Sequence, residues 1–106
     1  MALILKLLKA AQSNNGTATT LYTVPAATSA IVSNIRFVNT SASSATINLF
    51  YKPGGVGSVR ILDKDKSVLA SKLLLVQPEL TLAAGDVIEA TTSAVMDYVV
   101  CGMEKV

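Results

Sequence analysis

Ser29-Ala30-Ile31-Val32-Ser33-Asn34-Ile35-Arg36-Phe37-Val38-Asn39-Thr40 is the stretch on which the fold turns. Side chains alternate faces along an extended chain, so Ile31, Ser33, Ile35 and Phe37 share one side and Val32, Asn34, Arg36 and Val38 the other. The connector that follows, Asn39–Ala45, is Asn-Thr-Ser-Ala-Ser-Ser-Ala, a run of turn formers. Thr46–Lys52 then alternates again, with Ile47, Leu49 and Tyr51 opposite Asn48, Phe50 and Lys52. Two alternating runs joined by a short polar link predict an antiparallel hairpin.

Working outward, the same signals repeat. Upstream, Thr20–Val24 is a short strand closed by Pro25, and Asn14-Asn15-Gly16-Thr17 is a loop. Leu3–Lys9 reads as a first strand. Its lysines, Lys6 and Lys9, sit inside the apolar stretch rather than ahead of it, which argues against a signal peptide. Downstream, Pro53-Gly54-Gly55-Val56-Gly57 is a loop and Ser58–Leu62 a short strand. Asp63-Lys64-Asp65-Lys66 is a solvated turn. Val68–Val76 reads as one strand, with Leu73 and Leu75 on one side and Leu74 and Val76 on the other; apolar residues on both faces predict burial on both. Gln77-Pro78-Glu79 breaks the chain before Leu80–Leu82, and Ala83-Ala84-Gly85-Asp86 is a turn. Val87–Thr91 and Ala94–Met103 complete the series; in the last, Val95, Asp97, Val99, Cys101 and Met103 share a face.

These runs predict an all-β chain: one antiparallel β-sandwich or jelly-roll-like domain of about eight strands over residues 1–106. Parallel βαβ units need crossover helices for which 106 residues with this pattern leave no room. Residues 1–11 are read as an N-terminal arm or added strand.

Composition narrows the function. Val, Ile and Thr make up 28 of the 106 residues, as a pleated sheet favours. Apolar residues are 51% of the chain but charged ones only 15%, against about 25% in an ordinary soluble domain. Charge depletion marks the core of an interface, so part of the surface is expected to be buried against other chains. The absence of His removes His-based acid–base chemistry and most zinc sites. The single Cys101 has no His to activate it and no partner for a disulfide; it reads as a small core residue. No apolar run approaches the roughly 20 residues of a membrane-spanning helix.

Three motifs could carry chemistry, and each has a simpler reading. Gly54-Gly55-Val56-Gly57 lacks the Lys-Ser/Thr that a phosphate-cradling loop places after its last glycine. Asp63, Asp65 and Ser67 open like a calcium loop, but Leu74 occupies the twelfth position where an acidic ligand belongs. Lys and Arg are scattered, and Tyr22, Tyr51 and Tyr98 lie on separate strands, so neither a nucleic-acid surface nor a stacking platform is expected. No catalytic residue, cofactor or metal is assigned. Asp86 and Glu89 are carboxylates without a visible partner, and an enzyme is the weakest reading.

One pattern is more specific. Leu21-Tyr22-Thr23-Val24-Pro25-Ala26, then Ala30–Thr40, then Ala45-Thr46-Ile47-Asn48-Leu49 and the late Leu82-Ala83-Ala84-Gly85-Asp86-Val87-Ile88, resembles small β-sandwich virion proteins of tailed bacteriophages. The likeness covers about half the chain; Lys52–Glu79 has no counterpart. Ala27 departs from it, standing where a glycine often follows the Pro-Ala pair, and a different turn is expected there because positive φ strains a residue with a Cβ. The resemblance implies a non-enzymatic structural protein of the virion. The leading expectation is a capsid decoration (cement) protein, made in the host cytoplasm and placed on the capsid surface as a homotrimer. Its partner would be the major capsid protein, with no role for nucleic acid or membrane. A fibre, neck or tail-associated module and a host-surface glycan-binding module are the alternatives. Leu3, Leu5, Leu7, Leu74 and Val76 are the interface candidates.

Overall fold

The computed structural model describes residues 3–14 and 16–105. It contains ten strands: β1 (Leu3–Gln12), β2 (Ala18–Thr23), β3 (Ser29–Asn39), β4 (Ala45–Lys52), β5 (Val59–Arg60), β6 (Lys66–Val68), β7 (Leu73–Val76), β8 (Leu80–Leu82), β9 (Val87–Thr92) and β10 (Met96–Lys105). One single-turn 3₁₀ segment, Pro53–Gly55, follows β4. The strands form two antiparallel sheets. The first runs β1-β10-β3-β7, with β8 also beside β3; the second runs β2-β9-β4-β5, with β6 also beside β4. Because β7 and β8 share one neighbour, and β5 and β6 another, ten segments fill eight positions. The chain alternates between sheets in the order of a jelly roll. The antiparallel hairpin expected of Ser29–Thr40 and Thr46–Lys52 is therefore corrected: β3 lies in the first sheet and β4 in the second, and the Asn39–Ala45 connector crosses between them.

The apolar residues of the inner faces close between the sheets. Leu21, Val32, Ile35, Phe37, Ile47, Leu49, Ile88, Met96 and Val100 are fully buried. Each such side chain contributes about 1.5–3 kcal/mol relative to exposure. Phe37 and Tyr98, facing residues of β3 and β10, pack with ring centroids 6.2 Å apart.

Strict alternation fails in β3. Ala30 and Val32 point inward, but so do Ile35, Phe37 and Asn39. The reading that put Ile31 and Ser33 with Ile35 and Phe37 is therefore corrected: the register shifts where Cys101 pairs with Asn34 but Gly102 with Val32, leaving Ser33 as an extra residue. Such a bulge reverses the parity of everything after it. Gly102 permits it, since a Cβ there would stand 1.9 Å from the Ile31 carbonyl oxygen. The irregularity crosses the whole sheet. On one side β1 shifts register between Leu7 and Lys9, beside Cys101 and Val100. On the other, Gln77-Pro78-Glu79 separates β7, paired at Ile35, from β8, paired at Val32. Pro78 has no N–H to give a ladder.

Val68–Val76 is not one strand. Val68 ends β6 in the second sheet and Leu73 begins β7 in the first. Between them the Lys72 N–H donates to the Leu69 carbonyl at 3.1 Å, and Ser71 takes φ 59°. Ser58–Leu62 likewise shortens to Val59–Arg60. Ala27 does adopt positive φ, 56°, so the turn after Pro25-Ala26 is kept without its glycine.

Two buried polar groups tie the loops to this frame. Asn39, fully buried at the end of β3, donates to the carbonyls of Ser43 (2.9 Å) and Val68 (3.0 Å) and accepts from the Ser41 N–H (3.0 Å) and hydroxyl (2.7 Å). Asp86 accepts from the Tyr51 hydroxyl (2.8 Å), the Gly54 N–H (2.8 Å) and the Ala83 N–H (2.9 Å). The amide bonds from Gly54 and Ala83 hold its carboxyl below the usual carboxylate range, with the Tyr51 bond adding to them against the opposing effect of burial.

Candidate functional site

The two outer faces of the sandwich differ in chemistry. On the outer face of the second sheet, Thr46, Asn48, Phe50 and Lys52 of β4 and Val87, Glu89 and Thr91 of β9 are partly exposed. Lys52 pairs with Glu89 at 3.2 Å, and Arg60 lies 5.0 Å from the Phe50 ring centroid while donating to Asn48 at 2.6 Å. This is a hydrated surface whose charges already have partners.

The outer face of the first sheet is apolar. Its rows follow from the ladder register. Gln12, Asp97, Val38 and Leu73 form the first row, and Ala10, Val99, Arg36 and Leu75 the second. Leu7, Cys101 and Asn34 form a third, followed by Met103, Ile31 and Thr81. None of these residues is buried. Leu7, Leu73 and Leu75 are 56%, 55% and 45% exposed. Side chains of this kind, adjacent over several strands, mark an interaction surface rather than scattered apolar exposure. Asp97 is held by Gln12 at 2.9 Å. At the far end of the face a shallow apolar depression is lined by Ser29, Ala30, Ile31, Thr81 and Lys105. The side-chain oxygen of Asn34, shut from water at the bulge, has no hydrogen-bond partner among the described residues.

The predicted interface residues separate here. Leu7 is on the exposed face. The side chains of Leu3 and Leu5 lie outside the described residues; their backbones pair with Lys105 and Met103. Leu74 packs against the core and Val76 is 8% exposed, so on this strand the outward pair is Leu73 and Leu75. The alternation was legible, but which side met the core depended on the crossing at Leu69–Lys72. Cys101 is corrected from core residue to a half-buried member of the outer face. Val38, Val99 and Met103 were missed as surface candidates; for Val99 and Met103 the shared odd-numbered face of the last strand was the available signal, whereas Val38 lies after the bulge in β3 and had none.

The rival chemistries find little geometry. Tyr22 and Tyr98 are buried, and Tyr51 is half-buried with its hydroxyl on Asp86. Burial, then the bond it donates to Glu104, pushes the Tyr22 hydroxyl up, and burial alone pushes up Tyr98. No aromatic platform of the kind a glycan site uses is formed by these three. Asp65 is turned toward Asn48, whose amide donates to it at 2.9 Å. Among the described residues no three His, Cys, Asp or Glu side chains gather as a metal site. No helix among them is long and apolar enough to cross a membrane.

The class this geometry defines is a jelly-roll sandwich with one apolar outer face. Among solved structures, it is similar to a chain in the structure of infectious bursal disease virus, Gt strain, with a TM-score of 0.50 and 10% sequence identity. That match covers 96% of this chain and 31% of the virus chain. A chain of the Gx strain is similar at a TM-score of 0.49 and 14% identity over 97% of this chain and 30% of that one. The chain thus spans about a third of the length of the virus chains it matches, and what is shared is the fold. The sequence matches no protein-family description and no curated protein. The virus found is not a tailed phage, so the phage assignment rests on the sequence resemblance alone.

Proposed function

We propose that this chain is a non-enzymatic structural protein of a virus particle, in the form of a capsid decoration protein of a tailed bacteriophage. It would sit on the outer surface of the shell and stabilise it through contacts with the major capsid protein and with its own copies. The observation that carries this reading is the apolar outer face of the first sheet. A face lined by Leu7, Leu73, Leu75, Val99 and Met103 is chemically suited to burial in an assembly and poorly suited to catalysis. That the chain of similar fold comes from a virus structure agrees with the sequence resemblance and supports a viral structural role.

At roughly 25 cal/mol per Å² of apolar area, modest contacts repeated around a closed shell sum to a large stabilisation. The test is reconstitution. Purified protein is added to expanded shells lacking it, and bound copies are located in a particle reconstruction. Symmetric occupancy over the shell is the expected result. Density confined to the neck, tail or fibres would replace decoration with the tail-associated reading, and absence from the particle would end the proposal.

A further inference from the structure

We propose that the outer face of the first sheet docks a second copy of this chain, face to face. The inference extends the assembly reading above but does not need the viral one.

Three features of the face select its own copy as the occupant. The first is size. Ten residues of β10 at about 3.4 Å each and four strands at about 4.8 Å give a face of about 34 by 19 Å, or about 650 Å². Two such faces bury at most about 1,300 Å² when fully covered, at the lower end of the roughly 1,200–2,000 Å² of stable protein pairs. The second is charge. Arg36 and Asp97 sit in adjacent rows on adjacent strands, diagonal to one another across Val38 and Val99. One charge of each sign makes this part of the face self-complementary, since Arg36 of each copy can meet Asp97 of the other. A face carrying one sign would repel itself. The third is contrast. The second sheet's outer face already pairs Lys52 with Glu89 and stacks Arg60 on Phe50, so covering it would strip water from more charge for less apolar area.

A face that meets its own copy makes an isologous contact, which closes with two chains. On this proposal two copies, not three, meet at this interface.

Native mass spectrometry and sedimentation of the full chain test this. The expected mass is that of two chains at micromolar concentration. Leu75→Glu replaces an apolar contact at the β7 edge of the face with a carboxylate opposite Arg36, without touching the core. It removes apolar burial and draws Arg36 from the partner's Asp97, and weakens association by roughly 10-fold or more. Leu73→Glu acts in the same direction. Thr20→Glu, exposed on the opposite sheet, leaves it unchanged. Circular dichroism confirms that each variant keeps its strands. A monomeric wild-type chain, an odd number of chains, or a dimer indifferent to Leu75→Glu overturns the proposal. A monomer that still coats shells would sink this pairing and spare the function proposed above; a dimer that ignores shells would do the reverse.

Discussion

Gly102→Ala puts the sheet geometry to a direct test. Gly102 lies within β10 where β3 carries its extra residue, and an added Cβ meets the Ile31 carbonyl oxygen at 1.9 Å, the Ile31 carbonyl carbon at 3.0 Å and the Val32 Cα at 3.1 Å. All three are backbone atoms, so no side chain can swing aside. Restoring even a 3.0 Å approach to the oxygen moves the two strands apart by 3.0 − 1.9 = 1.1 Å. That disturbs the ladder bonds flanking the bulge, at about 1 kcal/mol each, with an overpacking cost of about 1–3 kcal/mol. Against this, alanine lowers the entropy of the unfolded chain by about 0.4–1 kcal/mol. The net loss is about 2–3 kcal/mol, which at about 4–8 °C per kcal/mol for a domain of this size lowers Tm by about 10–20 °C. Thermal melting followed by far-UV circular dichroism reads the shift, with Cys101→Ala, one residue away and without the clash, as the reference. A Gly102→Ala melting point within about 2 °C of wild type, equivalent to well under 1 kcal/mol, would show that the bulge is not built as described.

Asn39→Ala leaves the Val68 and Ser43 carbonyls and the Ser41 donors without their buried partner; urea unfolding should show a loss of about 2–3 kcal/mol, and Asn39→Asp should fail to rescue it because a carboxylate cannot donate. Ala27→Gly should raise stability by about 0.5–1 kcal/mol in the same assay, since φ 56° strains a residue with a Cβ and the side chain is exposed. Asp86 is more acidic folded than unfolded, so its contribution is present above the unfolded pKa near 4 and is lost as pH falls through the lower folded value. Acid titration of stability below about pH 4 should therefore be shallower in Asp86→Asn than in wild type, and an unchanged acid limb would contradict the role given to the Gly54 and Ala83 amides.

What could be read from the residues was the part that obeys period two. The strand Thr46–Lys52, the breaks at Pro25, Pro53 and Pro78 and the shared face of Asp97, Val99, Cys101 and Met103 follow from alternation and turn chemistry. A short polar link between two strands, by contrast, does not tell a hairpin within one sheet from a crossing between two, and Asn39–Ala45 is the crossing. What could not be read was displacement of that period by a single residue. Leu8, Leu21 and Ser33 each fall at a register shift, in β1, β2 and β3, and each lies in a run whose residues are all compatible with a strand. A bulge changes no composition; it is visible only through what permits it. Here that sign was Gly102, an isolated glycine inside an otherwise apolar strand. The exchange of Leu74 and Val76 for Leu73 and Leu75 has a different origin. Alternation assigns residues to two sides but not the sides to core and solvent, and the crossing at Leu69–Lys72 that decides this, Leu-Ala-Ser-Lys, holds no glycine or proline to announce it.

The placement of charge explains why one face, and not the other, is left apolar. The Asp63–Lys66 cluster lies in a loop beside the second sheet, and Lys52, Arg60 and Glu89 lie on that sheet itself. The first sheet's outer face keeps Asp97 and Arg36 in its first two rows and Lys105 at the other end. Covering the first sheet therefore removes much apolar area from water while desolvating few ions, and those few can neutralise each other across the contact. The same sheet holds β1 at its edge, bonded along its length to β10. Removing residues 1–11 would strip this strand from β10 and expose the β10 ladder together with the inner face beneath it. Any loss of assembly after that truncation would mix unfolding with loss of contact. Substitutions at Leu73 and Leu75, on the opposite edge and outside the core, separate the two effects: they change what the face offers a partner while the ladder and the buried residues stay as they are.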